Sequence, residues 1–138
     1  MGLLARREHS ARELSHKLKS RDYDEVSIQA VIESLIDEGL QSDDRFAEQF
    51  TRSRVEKGYG PIRVRQELRE RGIDDSLISH YLDVNDPEWS RRAQKAREKR
   101  FGRGLPGEYR EQARQARFLQ QRGYTSEQIM RIIKAGDE

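Results

Sequence analysis

The chain has 138 residues, 38% of them charged and only 33% hydrophobic, with 27 Lys+Arg, 25 Asp+Glu and no cysteine. Without cysteine there are no disulfides, thiolate metal sites or cysteine nucleophile, which fits a reducing compartment. No apolar run approaches the roughly 18–20 residues of a membrane span, and MGLLARREHS lacks the long apolar stretch of a signal peptide. A cytoplasmic protein with no membrane partner is expected.

Helical periodicity runs almost from end to end, and no segment shows the sustained alternation of a strand. Residues 3–9, LLARREH, read as the tail of a shortened lead helix. Ser10 with Glu13 forms a capping box that opens SARELSHKLKS, and Asp22 stands at the corner before EVSIQAVIESL. The next lead helix is SDDRFAEQFTRSRVEKG. Gly58-Tyr59-Gly60-Pro61 then breaks the chain, and Pro61 suits the first turn of the helix that follows. GPIRVRQELRERGID turns at Gly72 into DSLISHYLDV. Asp86-Pro87 puts a cap before a proline at the head of EWSRRAQKAREKRFG. After the loop FGRGLPGEY, ARQARFLQQRG turns at Gly123, and Thr125 with Gln128 forms a second capping box before the final helix.

The three helix-corner-helix segments align with one another. Leu18, Leu68 and Leu119 coincide, as do Arg21, Arg71 and Arg122, then Tyr23, Ile73 and Tyr124, then Ile28, Ile78 and Ile129. Gly72 and Gly123 occupy the place of a left-handed C-terminal cap, with Asp22 as a weaker substitute. The lead helices align as well, with Phe46 on Trp89, Phe50 on Ala93 and Arg54 on Arg97. The expected fold is all-α: an elongated, curved array of three tandem three-helix repeats, about nine helices and no sheet. Narrow apolar stripes must stack on their neighbours to be buried. The repeats span residues 3–40, 41–85 and 86–138, with a Gly/Pro loop near 102–107 that suits a hinge between the second and third.

Catalytic chemistry finds little support. His9, His16 and His80 have no metal partner at helical spacing, no nucleophile elbow is present, and GYGP and GRGLPG lack the context of a phosphate loop. No enzyme, cofactor or metal is expected. Charge is informative: residues 89–122 hold 11 Lys+Arg against 3 Asp+Glu, whereas residues 1–58 hold 10 against 12. A local excess of that size points to an anionic partner, nucleic acid or an acidic protein surface. Arg91, Arg92, Lys95 and Lys99 project together with only Glu98 to offset them. In the helix after Pro61, Arg63 has Glu67 and Glu70 within reach, while Arg65 and Arg69 are left for intermolecular contact. Tyr59 either packs half-buried in its corner, as its counterpart His9 would, or meets a partner. The candidate partner-binding set is Arg52, Lys57, Tyr59, Arg63, Arg65, Arg69, Arg91, Arg92, Lys95, Lys99 and Arg103.

DDRFAEQFTRSRVEKGYGPIRVRQELRERGI, residues 43–73, resembles the signature region of the RecX family, bacterial regulators of the RecA recombinase. KRFG and ARFLQQRGYTSEQIMRIIK are similar to that family's third unit. The resemblance covers nearly the whole chain, departing at the short first helix and at Asp22. It implies a non-enzymatic, monomeric array of three-helix repeats that binds the RecA–DNA filament in its groove and bridges neighbouring subunits. Inhibition of recombinase ATPase and strand exchange would follow, with single- or double-stranded DNA as a secondary contact. The alternative is a helical protein that acts on DNA directly; its weakness is the modest overall charge of +2.

Overall fold

Capping boxes, corner residues and apolar stripes place the helix boundaries where the sequence puts them. The computed structural model describes residues 7–133, which form eight helices and no strand. These are α1 (Ala11–Ser20), α2 (Glu25–Asp37), α3 (Asp43–Glu56), α4 (Pro61–Glu70), α5 (Asp75–Tyr81), α6 (Glu88–Phe101), α7 (Tyr109–Arg122) and α8 (Ser126–Ile133). The all-α class holds. The ninth expected helix is the tail at residues 3–9: residues 3–6 lie outside the described residues, and 7–9 are not helical.

Ser10 and Glu13 form the reciprocal capping box at the start of α1. Thr125 and Gln128 form the other, with Thr125 N donating to Gln128 Oε1 at 2.9 Å and Gln128 N donating to Thr125 Oγ1 at 3.1 Å. The Asp86 carboxylate accepts from Glu88 N at 3.0 Å at the head of α6. All three corner residues take positive φ: Asp22 at 68°, Gly72 at 81° and Gly123 at 102°. Among the described residues Asp22 is the one non-glycine to do so. Asp tolerates this region better than most side chains.

The chain divides into two compact units. The first takes residues up to Thr51 together with Glu67–Tyr81. Its core joins Leu14 of α1 to Ile28 and Ile32 of α2, with Ala11, Leu18 and Leu35 packed against them. Each such side chain, fully buried, contributes about 1.5–3 kcal/mol. Phe46 is buried and stacks on Phe50 at 5.4 Å. Arg71 lies over the Phe50 ring at 4.7 Å, with Nε 3.6 Å from Glu13. Tyr81 donates its hydroxyl to Asp44, and that bond to a carboxylate pushes the phenol pKa up to about 12.

His9, only 2% exposed, packs beside α1 with Nε2 3.3 Å from Lys17 Nζ and Nδ1 3.1 Å from the Arg7 carbonyl. An ammonium has only hydrogens to offer, so Nε2 accepts and Nδ1 donates; the ring is neutral. Burial, and then Arg7 and Lys17, hold its pKa below the ordinary 6.5. A depressed histidine stabilises the fold above its unfolded value and loses that contribution as pH falls below it. The urea midpoint followed by far-UV circular dichroism should therefore drop between about pH 7.5 and about pH 5.5. His9→Gln should flatten that part of the profile.

The second unit takes Arg52–Gln66 and the chain from Leu82 onward. Helices α6, α7 and α8 pack on one another, burying Trp89, Ala93, Leu119, Tyr124, Ile129, Ile132 and Ile133. Trp89 donates Nε1–H to the Asp83 carbonyl at 2.7 Å and meets the Tyr124 ring edge-on at 6.5 Å. The Gly/Pro loop is no hinge between repeats, because it joins α6 to α7 inside this unit. Arg97, 1% exposed, reaches into it from α6. It donates to the carbonyls of Gly104 at 3.1 Å and Arg103 at 3.2 Å, and to Gln115 Oε1 at 3.2 Å. The two terminal nitrogens of this buried guanidinium fix the loop by charge-assisted bonds, while its Nε is buried without a partner.

The break at residues 58–61 is a backbone-to-backbone joint within this unit. Gly60 N donates to the Arg122 carbonyl at 2.7 Å, and Ile62 N donates to that of Gly123 at 2.9 Å. Tyr124 donates its hydroxyl to the Gly58 carbonyl at 2.9 Å. Burial pushes the Tyr124 phenol up to about 12, so it remains a donor. A Cβ on Gly60 would lie 2.4 Å from the Gly123 carbonyl carbon, a contact that only glycine permits.

Candidate partner-binding cleft

The joint between α3 and α4 gathers arginines around one ring. Tyr59 is half-buried, with guanidinium carbons of Arg63 at 4.3 Å, Arg122 at 4.9 Å and Arg54 at 5.2 Å from its centroid. The negative face of the ring offsets their mutual repulsion, by about 0.5–1 kcal/mol for each exposed contact. Tyr59 therefore packs, holding Arg122 in place. Tyr59→Ala should lower stability by about 2 kcal/mol and Tyr59→Phe by less than about 0.5, since the ring and not the hydroxyl makes these contacts. Urea denaturation followed by Trp89 fluorescence measures both, Trp89 being the one tryptophan.

Beside this cluster lies a cleft of about 620 Å³. Val55, Glu56, Lys57 and Gly58 from the end of α3 form one wall. Arg92, Lys95, Ala96, Lys99 and Arg100 of α6 form another, and Phe118 and Arg122 of α7 close it. Val55, Ala96 and Phe118 make an apolar lining, while six cations and the single acid Glu56 surround it. Among the described residues Lys57, Lys95 and Lys99 take part in no ion pair. Lys99 and Arg100 sit in the last turn of α6, where the helix dipole favours cations without any partner. Lys95 and Arg92 lie too far from that end to gain from it. Arg92 is carried instead by the Trp89 ring, 4.6 Å away. Lys95 is exposed, and Glu98 alone is near enough along the helix to offset its repulsion with Lys99 one turn on.

Of the residues expected from sequence, the cleft thus brings together Lys57, Arg92, Lys95 and Lys99, with Tyr59 behind Arg122. The others lie elsewhere. Arg91 is tied to Glu88 at 3.2 Å, and Arg52 is exposed on α3 away from the lining. Arg65 is half-buried on α4, and Arg103 is exposed in the loop that Arg97 holds by its carbonyl. Arg63 lies over Tyr59 and donates to the Gln121 carbonyl at 3.3 Å. Arg69, expected to be left for intermolecular contact, pairs with Asp75 at 2.9 Å across the Gly72 corner. Sequence reasoning missed Arg100, Arg122 and the apolar lining. Arg100 follows Arg92 by eight residues and Ala96 by four, so the same helical stripe could have shown it.

Family models of RecX match the chain in order: its first three-helix domain at residues 1–35, its second at 42–82 and its third at 87–133. The chain belongs to the RecX family. It is 49% identical over 136 residues to the regulatory protein RecX of Halorhodospira halophila, covering 99% of this chain and 84% of that one. It is 39% identical to the RecX of Pseudomonas syringae pv. tomato, over 100% of this chain and 90% of that one. The crystal structure of RecX from Lactobacillus salivarius shares the fold with a TM-score of 0.77 at 27% identity, over 97% of this chain and 89% of that one. In terms of the RecX models, the cleft combines the C-terminal end of α3, in the second domain, with α6 and α7 of the third. No described helix is long and apolar enough to cross a membrane.

Proposed function

We propose that this RecX-family chain is a non-enzymatic regulator that binds the RecA–DNA filament in its groove and bridges neighbouring recombinase subunits. By doing so it inhibits ATP hydrolysis and strand exchange. The observation that carries this reading is the cationic cleft, whose unpaired lysines on a rigid three-helix frame await an anionic partner. The helices that carry these cations are already packed, so binding has only their side chains to order. The three segments 3–40, 41–85 and 86–138 serve as the repeating modules of a monomer, and a chain of modules suits a polymer because one molecule then reaches more than one subunit. In this reading Lys57, Arg92, Lys95 and Lys99 meet the filament directly, with Arg52, Arg65, Arg91 and Arg103 as outlying contacts. Tyr59, Arg63 and Arg69 shape the surface, and DNA is a secondary contact.

The test is the single-stranded-DNA-stimulated ATPase of the cognate recombinase, titrated with the protein at several salt concentrations. Inhibition that saturates with added protein supports the proposal. An unchanged ATPase at every salt concentration where both proteins stay soluble overturns it.

A further inference from the structure

Resting on that reading, we propose that the occupant of the cleft is a protein segment, an acidic stretch presenting one apolar anchor, and that nucleic acid does not enter it. Two features of the cleft argue for this occupant. The first is its lining. Val55, Ala96 and Phe118, each half-buried, line the cleft from α3, α6 and α7 together with six cations. A phosphodiester chain would satisfy the cations and leave the apolar lining wet; an apolar side chain flanked by carboxylates satisfies both at once. Its volume of about 620 Å³ falls within the roughly 300–1,000 Å³ of clefts that enclose an anchoring group.

The second feature is the state of the aromatic rings. Sequence-independent binding of single strands relies on open aromatic faces on which bases stack. Phe118 has Phe101 at right angles to it with centroids 5.3 Å apart, and the Arg122 guanidinium lies over its ring at 5.2 Å. Tyr59 beside the cleft has Arg63 and Arg122 over its own ring. The rings at this site are engaged by arginines of the same chain, and what they expose is positive charge. Recognition of acidic segments in a groove by basic side chains around an apolar anchor has the same chemistry. Glu56, the one acid in the lining, sets the orientation by excluding a carboxylate from the α3 side.

The test is photo-crosslinking with the intact protein and the purified recombinase filament on single-stranded DNA. Glu56→p-benzoylphenylalanine places the crosslinker on the exposed rim, and the same residue at exposed Gln49 on α3 provides the control outside the cleft. Crosslinked peptides are identified by mass spectrometry, and ATPase inhibition is measured on the same samples. The expected result is a Glu56-position crosslink to a recombinase segment with at least two Asp or Glu close to an apolar residue. That crosslink should fall at least tenfold when Lys95→Glu and Lys99→Glu are added. With inhibition intact, a crosslink to DNA, to a segment without acids, or none would overturn this proposal and leave the filament reading standing. If the wild-type protein fails to inhibit, the filament reading itself falls, and this proposal with it.

Discussion

Gly60→Ala is expected to cost the second unit about 3 kcal/mol or more, and to lower the urea midpoint of Trp89 fluorescence by about 1–2 M. The added methyl would sit 2.4–2.5 Å from the backbone of Gly123 and Tyr124. Backbone cannot swing aside as the end of a side chain can. Separating the two corners would also stretch the hydrogen bonds from Gly60 N to Arg122 and from Ile62 N to Gly123. Gly104→Ala is the internal comparison, since a Cβ there meets nothing within 4 Å; it should change stability by less than about 0.5 kcal/mol. Gly102→Ala falls between them. Its Cβ also meets nothing, but φ is +89° with ψ at 176°, a region almost confined to glycine, so it should cost about 1–3 kcal/mol in backbone strain.

Reversing Lys95 and Lys99 to glutamate is expected to raise the concentration for half-inhibition of the recombinase ATPase at least tenfold. That corresponds to about 1.4 kcal/mol of lost binding. Both lysines are exposed and free of ion pairs, so the fold should lose less than about 1 kcal/mol and keep its helical signal. Arg131→Glu on α8 is the matched control. Arg131 lies outside the cleft lining and gives up only an exposed pair with Glu127, so inhibition should change less than about threefold.

Local chemistry made much of the fold legible. A capping box needs two residues three apart, and a left-handed corner needs one residue of the right kind, so both could be read from a few adjacent positions. Gly72, Gly123 and even Asp22 took the positive φ their alignment implied. The basic stripe of α6 was visible for the same reason, as a property of one helix.

What sequence could not show depended on chain reversal. Asp75 is six residues from Arg69, beyond helical reach, until the Gly72 corner turns the chain back and closes the pair at 2.9 Å. Arg97 showed in the sequence only as the counterpart of Arg54 in the aligned lead helices. Its partners are loop carbonyls and a glutamine on α7, and no local pattern announces a buried guanidinium. The apolar lining was hidden because Val55, Ala96 and Phe118 come from three helices and converge only when α3, α6 and α7 are packed. Tyr59 was ambiguous because its ring contacts include Arg122, a residue far along the chain.

The central claim is that the cleft serves a protein filament, with DNA a lesser contact. Equilibrium binding of fluorophore-labelled protein to the recombinase filament, set against the same single-stranded DNA without recombinase, tests it most directly. The account predicts binding to the filament at least tenfold tighter than to the bare strand. Equal affinity for both, weakening steeply and in parallel as salt is raised, would contradict it and make this a DNA-binding protein.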